Sequence, residues 1–245
     1  MLEAKTDFLN SLDEVDLDLS MAAVVQKNSV KYSLFLKAGI LLLCAKFECF
    51  IESSVEEYCQ EVNRLRLKAS QIPDSLRLQT AKTLLPDGTV GKVRSGDVKG
   101  AQDALMLLAP LWCKCDEVCE IRVDSHFNYG RHGEDAVRKL LHRIGIEDVF
   151  RECTISLPAE GPEGSEGTIE VDVISDINAL TVFRNQIIHT DANPNLTHSQ
   201  IKGYRDHLSQ FAQRLESLLS GMLAQLDVAS RKSGGVVPPR ASGAV

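Results

Sequence analysis

The chain has 245 residues, 44% of them hydrophobic and 25% charged, the balance of an ordinary soluble globular protein long enough to bury a substantial core. Its formal net charge of −7 excludes a broad basic surface that would grip nucleic acid through counterion release, so any such function has to sit in a local site. The seven cysteines (44, 49, 59, 113, 115, 119 and 153) are odd in number, and the acidic opening MLEAKTDFLNSLDEVDLDLS lacks the basic start and apolar run of an export signal. Reduced thiols and a cytoplasmic protein are expected.

Phe8, Leu12, Val15 and Leu19 recur at steps of three and four, which predicts a short amphipathic helix within residues 1–28. From about Val30 to Leu65 the chain reads as one long helix with a stripe of Phe47, Ile51, Val55, Tyr58, Val62 and Leu65. Its most apolar stretch, Ala38 to Ala45, lies between Lys37 and Lys46 and is too short to cross a bilayer, so no membrane role is expected. Lys68 to Arg94, broken by Pro73, Pro86, Gly88 and Gly91, reads as a loop-rich excursion with one short helix. Further helical patterns cover Gln102–Trp112 and Glu134–Ile144, the latter stopped by Gly145. The stretch PAEGPEGSEG, residues 158–167, reads as an acidic loop, and short extended pieces are allowed at Glu120–Val123 and Thr168–Val173.

Two helices close the pattern. The first opens near Ser175 or Asp176, carries Ile177, Leu180, Phe183 and Ile187, and has to end before Pro194. The second starts at a Thr197–Gln200 capping box and holds Ile201, Tyr204, Leu208, Phe211, Leu215, Leu218, Met222 and Leu226 at heptad-like steps. Residues 228–245 read as a flexible tail. The expected architecture is a single all-α domain over residues 1–227. It is a helical bundle with a long first core helix after the N-terminal helix (1–29), a loop-rich insert region (68–170) and a C-terminal helical hairpin.

The residues that carry chemistry are FRNQIIHTD, Phe183 to Asp191. Arg184 and His189 are separated by four residues, with Asn185 following the arginine. Such a short pattern means little alone and gains weight from its place at the end of an amphipathic helix before a polar turn. At about 100° per residue Asn185 and His189 share one face, while Ile187 and Ile188 are expected to hold the bundle.

RNQIIH resembles the Arg-x4-His signature of the HEPN superfamily. LLLCAKFECFIESSVEEY, with Phe47, Glu48, Cys49 and Phe50, is similar to the long helix of its RiboL-PSP branch, and FNYGRHGEDAVRKLLHRIGIEDVF resembles the insert before the motif helix. The resemblance covers about residues 30–227 and implies a HEPN-like helical bundle that cuts RNA without a metal or other cofactor, leaving 2′,3′-cyclic phosphate and 5′-hydroxyl ends. In that reading Arg184, His189 and Asn185 are catalytic and Glu48 supports them. Imidazole exchanges a proton near neutrality and guanidinium is always charged, which suits proton transfer and phosphate-charge stabilisation. The family completes its site by facing two motifs across a homodimer, which is expected here. A toxin or anti-phage defence role follows, with an antitoxin or other defence-system protein as a possible partner. Family toxins silenced by tyrosine modification carry Arg-x4-His-x-Tyr, whereas this chain has Asp191 at that position, so such control is not expected.

Blander readings compete. Arg184 could pair with a surface carboxylate and His189 cap the helix end, and the whole domain could bind RNA or a protein partner without cutting. Glu48 is either a partner of the motif or a solvated side chain. Cys113, Cys115 and Cys119 with His126 and His132 invite a zinc reading, but the spacing is not that of paired Cys-x2-Cys ligands and no metal is expected. The run from Arg131 to Arg143 is either a solvated helix face or a rail for RNA phosphates, with Arg131, Arg138, Lys139 and Arg143 as its contacts.

Overall fold

A computed structural model describes residues 2–85, 94–113, 116–128, 130–160 and 166–233. The elements run α1 (Glu3–Val24), α2 (Ser29–Arg64), a 3-10 turn (Ala69–Gln71), α3 (Asp74–Leu84), α4 (Val98–Trp112), α5 (Glu134–His142), α6 (Val149–Glu152), β1 (Ser156–Glu160), β2 (Glu166–Glu170), α7 (Val173–Thr190) and α8 (His198–Ser233). The expected all-α bundle is what forms, with one short hairpin added. The chain divides into two compact units, Met1–Tyr58 with Ser125–Ser220, and Cys59–Asp124 with Gly221–Val245.

In the first unit α1 buries the stripe read from its sequence, Phe8, Leu12, Val15 and Leu19. Its first turn has no cap from its own chain neighbours, and the Glu57 carboxylate of α2 accepts from the Ala4 amide at 2.9 Å. An acid there meets both an orphan donor and the positive end of the helix dipole. The α1–α2 contact is close because Gly39 offers no side chain; a Cβ there would lie 3.3 Å from Leu19 Cδ2. The core centres on aromatic rings from four helices. Phe8 stacks on Phe50 at 4.9 Å, Phe47 meets Phe211 edge-on at 6.0 Å, and Phe150 lies 5.6 Å from Phe211.

The last two helices follow the reading with small shifts. α7 begins at Val173, two or three residues before the expected start, because Asp172 caps it by accepting from the Ser175 amide at 3.0 Å. α8 begins after the Thr197–Gln200 capping box, where each residue's side chain accepts from the other's backbone amide. Leu219, not Leu218, is fully buried on α8, so the buried steps stay at four there. The helix continues past Val228 to Ser233, held in its last turn by an Arg231–Asp227 ion pair. Residues 234–245 of the expected tail lie outside the described residues.

The stretch 158–167 departs from the expected loop. Its two ends belong to β1 and β2, which pair antiparallel with Leu157 opposite Ile169. Acid and glycine deny this stretch a packed face, but a hairpin ladder needs only main-chain groups. Residues 161–165 are outside the described residues.

In the second unit the segment after Cys119 forms no strand among the described residues. The Asn63 amide holds it, donating to the Ile121 carbonyl at 2.9 Å and accepting from its N–H at 2.7 Å. Lys68 and Val118 form an isolated bridge beside it, and α3 packs on α4.

Phe211 is fully buried at the meeting point of the ring cluster. Phe211→Ala is expected to cost about 3–5 kcal/mol, the usual cost of emptying a packed aromatic site. Denaturant unfolding checks this: the midpoint should fall with an unchanged slope.

Candidate active-site cleft

An open cleft lies in the first unit, and three helices and one loop wall it. α7 contributes Thr181, Arg184, Asn185, Ile188 and His189. These positions are three and four apart, so a single helical face supplies them all. α2 contributes Ala45, Glu48, Cys49 and Glu52, again at helical steps, from the side turned away from Phe47 and Ile51. The third wall is Asp135, Ala136 and Lys139 of α5 with the loop around Arg131 and His132.

The motif residues thus come together. Arg184 is half-buried, and Nη1 lies 3.3 Å from the Asn185 Oδ1 acceptor. No carboxylate pairs with Arg184 among the described residues. His189 is exposed on the last turn, where α7 ends with Asp191 in a left-handed conformation at φ 50°. The Asp191 and Ala192 amides return to the carbonyls of Ile187 and Gln186. Lys37 donates to both the carbonyl and the carboxylate of Asp191, at 2.8 and 2.6 Å. A cation is favoured at a helix C-terminus, and here it fixes the turn beside His189. Asp191 is therefore a structural partner of Lys37.

The expectation for the two isoleucines divides. Ile187 is buried, while Ile188 is 52% exposed and lines the cleft. One residue is 100° of turn, enough to carry Ile188 from the core side to the cleft side.

Glu48 is paired, its Oε1 lying 2.7 Å from Nδ1 of His132. Sequence reasoning weighed His132 as a metal ligand and as part of the basic run from Arg131 to Arg143, not as the partner of Glu48. Its signal was the glycines of GRHG, since Gly130 and Gly133 take φ of 71° and 88° and turn the loop sharply. Glu52 accepts from the Phe127 amide at 2.7 Å and lies 3.5 Å from His126, so a second α2 carboxylate holds the loop's entry.

The four basic residues expected on a phosphate rail separate. Arg131 and Lys139 line the cleft. Arg138 instead bonds Glu134 at 2.8 Å and Asp148 at 2.5 Å and lies 4.7 Å from the centre of the Phe150 ring. The Arg138 hydrogen bond holds the Asp148 carboxyl below its ordinary value. Arg143 donates to the His126 carbonyl at 3.0 Å and to Asn128 at 3.4 Å, tying the loop to the end of α5. Neither lines the cleft; neighbouring acids and carbonyls hold both.

Among the described residues no group of three or more His, Cys, Asp or Glu could hold a metal ion. The Cys119 thiol reaches the Glu120 carbonyl and His132 pairs with Glu48; Cys115 lies outside the described residues. Also among the described residues, no helix is long and apolar enough to cross a membrane.

The sequence model of the RiboL-PSP-HEPN family matches residues 6–221. No curated protein matches the chain. No solved structure matches it either. With a match over most of its length, the chain belongs to the RiboL-PSP-HEPN family, and membership points to a nuclease or RNA-binding role.

Two α2 cysteines report on the cleft from opposite sides. Burial pushes the Cys44 thiol up to about 12; the Glu48 charge adds to this and the Arg184 charge opposes it. Cys49 is exposed on the cleft wall. A maleimide at pH 7 should therefore label Cys49 and leave Cys44 untouched, because only the thiolate reacts. Peptide mapping after a short exposure checks this, and labelling of Cys44 at the rate of Cys49 would contradict the geometry.

Proposed function

We propose that the chain is a metal-independent endoribonuclease whose catalytic groups are Arg184, His189 and Asn185. The observation that carries this reading is the placement of Arg184. A half-buried guanidinium without a carboxylate partner among the described residues shares one helix face with an exposed imidazole and opens on a cleft. A cation so placed suits an anionic substrate, and a guanidinium matches phosphate geometry. His189 takes the proton of the 2′-hydroxyl and Arg184 stabilises charge on the phosphate. Asn185 orients Arg184. The 2′-oxygen displaces the 5′-oxygen, leaving a 2′,3′-cyclic phosphate. Arg131 and Lys139 contact flanking phosphates. The paired state of Glu48 and Glu52 favours a mechanism that recruits no divalent cation to these carboxylates.

The test is an RNA-cleavage assay on the purified protein with and without EDTA. Cutting is expected to persist in EDTA and to yield cyclic-phosphate ends. Arg184→Ala and His189→Ala should each lose about 10² to 10⁴-fold, with the double variant hardly worse because the groups act as a unit. Both variants should unfold at nearly the parent's temperature, since neither side chain is in the core. Cleavage that requires Mg²⁺, or variants that cut like the parent, would overturn the reading and leave an RNA-binding or protein-interaction module.

The proposed working form is a homodimer in the cytoplasm, acting as a toxin or defence effector restrained by a partner protein. Support for the dimer is the exposed Ile188 beside the motif, an apolar group that a two-fold partner would cover. Light scattering at micromolar concentration should give twice the chain mass, and Ile188→Asp should shift it to the monomer. A parent protein that is already monomeric under these conditions refutes the dimer.

A further inference from the structure

The Glu48–His132 pair lines the same cleft as the motif, from the walls formed by α2 and the loop before α5. Its side chains remain 27% and 22% exposed, so the pair is largely shielded yet still open to the cleft. The His132 ring borders both the open cleft and a small apolar pocket beneath it, where Phe47, Phe127, Val137 and Leu180 gather. Resting on the endoribonuclease reading, we propose that His132 donates the proton to the leaving 5′-oxygen, with Glu48 as its positioning residue. Each chain then brings an acid as well as a base to the site.

The orientation of the ring follows from hydrogen-bond chemistry. A carboxylate oxygen only accepts, so across 2.7 Å the Nδ1 of His132 carries the proton. Nε2 is the nitrogen left to exchange a proton with substrate. The loop cannot drift, because the residues after His132 are docked on α7. The Glu134 amide lies 3.4 Å from Asn178 Oδ1, and a Cβ at Gly133 would stand 3.3 Å from that oxygen and 3.5 Å from Thr181 Oγ1.

That docking sets the loop against α7. Gly133, next to His132, faces Thr181, and Arg184 and His189 lie farther along the same helix on the same cleft. Thr181 and His189 are about 12 Å apart along the axis at 1.5 Å per residue. Helical side chains lean toward the N-terminus, which brings the His189 ring back toward Arg184. An in-line displacement needs base and acid nitrogens separated by two hydrogen bonds and the width of the reacting phosphate, roughly 9 Å. His132, Arg184 and His189 thus line one cleft, with the loop that bears His132 anchored near Thr181.

The step balances within the two imidazoles. His189 takes the 2′-hydroxyl proton as the O2′–P bond forms. The P–O5′ bond breaks, and O5′ receives the Nε2 proton of His132. His189 ends protonated and His132 neutral, and exchange with water restores both. Glu48 keeps its hydrogen bond to Nδ1 throughout and holds the ring in place.

A substrate pair isolates the donor. One oligoribonucleotide has an ordinary 5′-oxygen at the scissile bond and the other a 5′-sulfur in its place. A thiolate departs without a proton, because a thiol is far more acidic than an alcohol. His132→Ala should lose about 10² to 10⁴-fold on the oxygen substrate and remain within roughly tenfold of the parent on the sulfur one. His189→Ala should lose on both. Glu48→Gln should show a smaller loss on oxygen and none on sulfur. His132→Gln, whose amide can still donate to Glu48, repeats the measurement if the alanine variant is poorly folded. Equal loss of both His132 variants on the two substrates assigns a structural role and overturns the proposal. An unchanged rate on oxygen does the same. A parent protein that cuts neither substrate removes the endoribonuclease reading itself, whereas a parent and His189→Ala that behave as stated with an unaffected His132 remove only the donor.

Discussion

The helical period of α2 is the constraint on which the cleft depends. At about 100° per residue, a helix that turns Phe47, Ile51, Val55 and Tyr58 into the core has to turn Ala45, Glu48, Cys49 and Glu52 the other way. The rings of Phe47, Phe8, Phe50 and Phe211 hold the helix at one rotation, since aromatic faces and edges pack in few ways. The two carboxylates are thereby aimed without any strain in their own backbone. A rotation of one residue would bury Glu48 and expose Phe47, at a cost in apolar burial and unpaired charge that the fold could not offset.

The same rotation makes the loop before α5 a consequence of α2. Glu52 takes the Phe127 amide, Glu48 takes His132, and Arg143 reaches back to the carbonyl of His126. Three polar contacts thus fix a segment that has little apolar content of its own. Arg138 looks in sequence like a member of the same basic run, yet its two acids and the Phe150 ring occupy it on the α5–α6 side. Charge along a helix therefore divides by face, and only Arg131 and Lys139 remain on the cleft.

The end of α7 shows the same economy. A left-handed Asp191 stops the helix, and Lys37 from α2 holds both its carbonyl and its carboxylate. His189 consequently sits on a fixed last turn instead of a fraying one, although the residue itself is exposed. Immediately beyond, Ser33 meets Asn193 and Tyr32 meets His198, so the start of α2 braces the turn into α8. In the proposed reaction, prior ordering removes the entropic cost of fixing the imidazole on each encounter with substrate.

The amino-acid sequence by itself determined the helical class, the buried stripe of α1, that of α2 from Phe47 to Val62, four of the eight α8 positions (Ile201, Leu208, Phe211 and Leu215), the Thr197–Gln200 cap and the helix that carries Arg184, Asn185 and His189. These are local properties, set by periods of three and four and by side chains that reach their own backbone. What reached across the chain was decided only by tertiary structure. His132 finds Glu48 across 84 positions, Lys37 finds Asp191 across 154, and neither pairing leaves a period or a spacing to read. Of the hairpin at 156–170 only the end of β2 was legible, as the extended piece from Thr168; β1 and the pairing escaped, since main-chain ladders do not require apolar side chains. The split of Ile187 from Ile188, and of Arg138 from Lys139, turned on a single 100° step whose phase is set by packing against other helices.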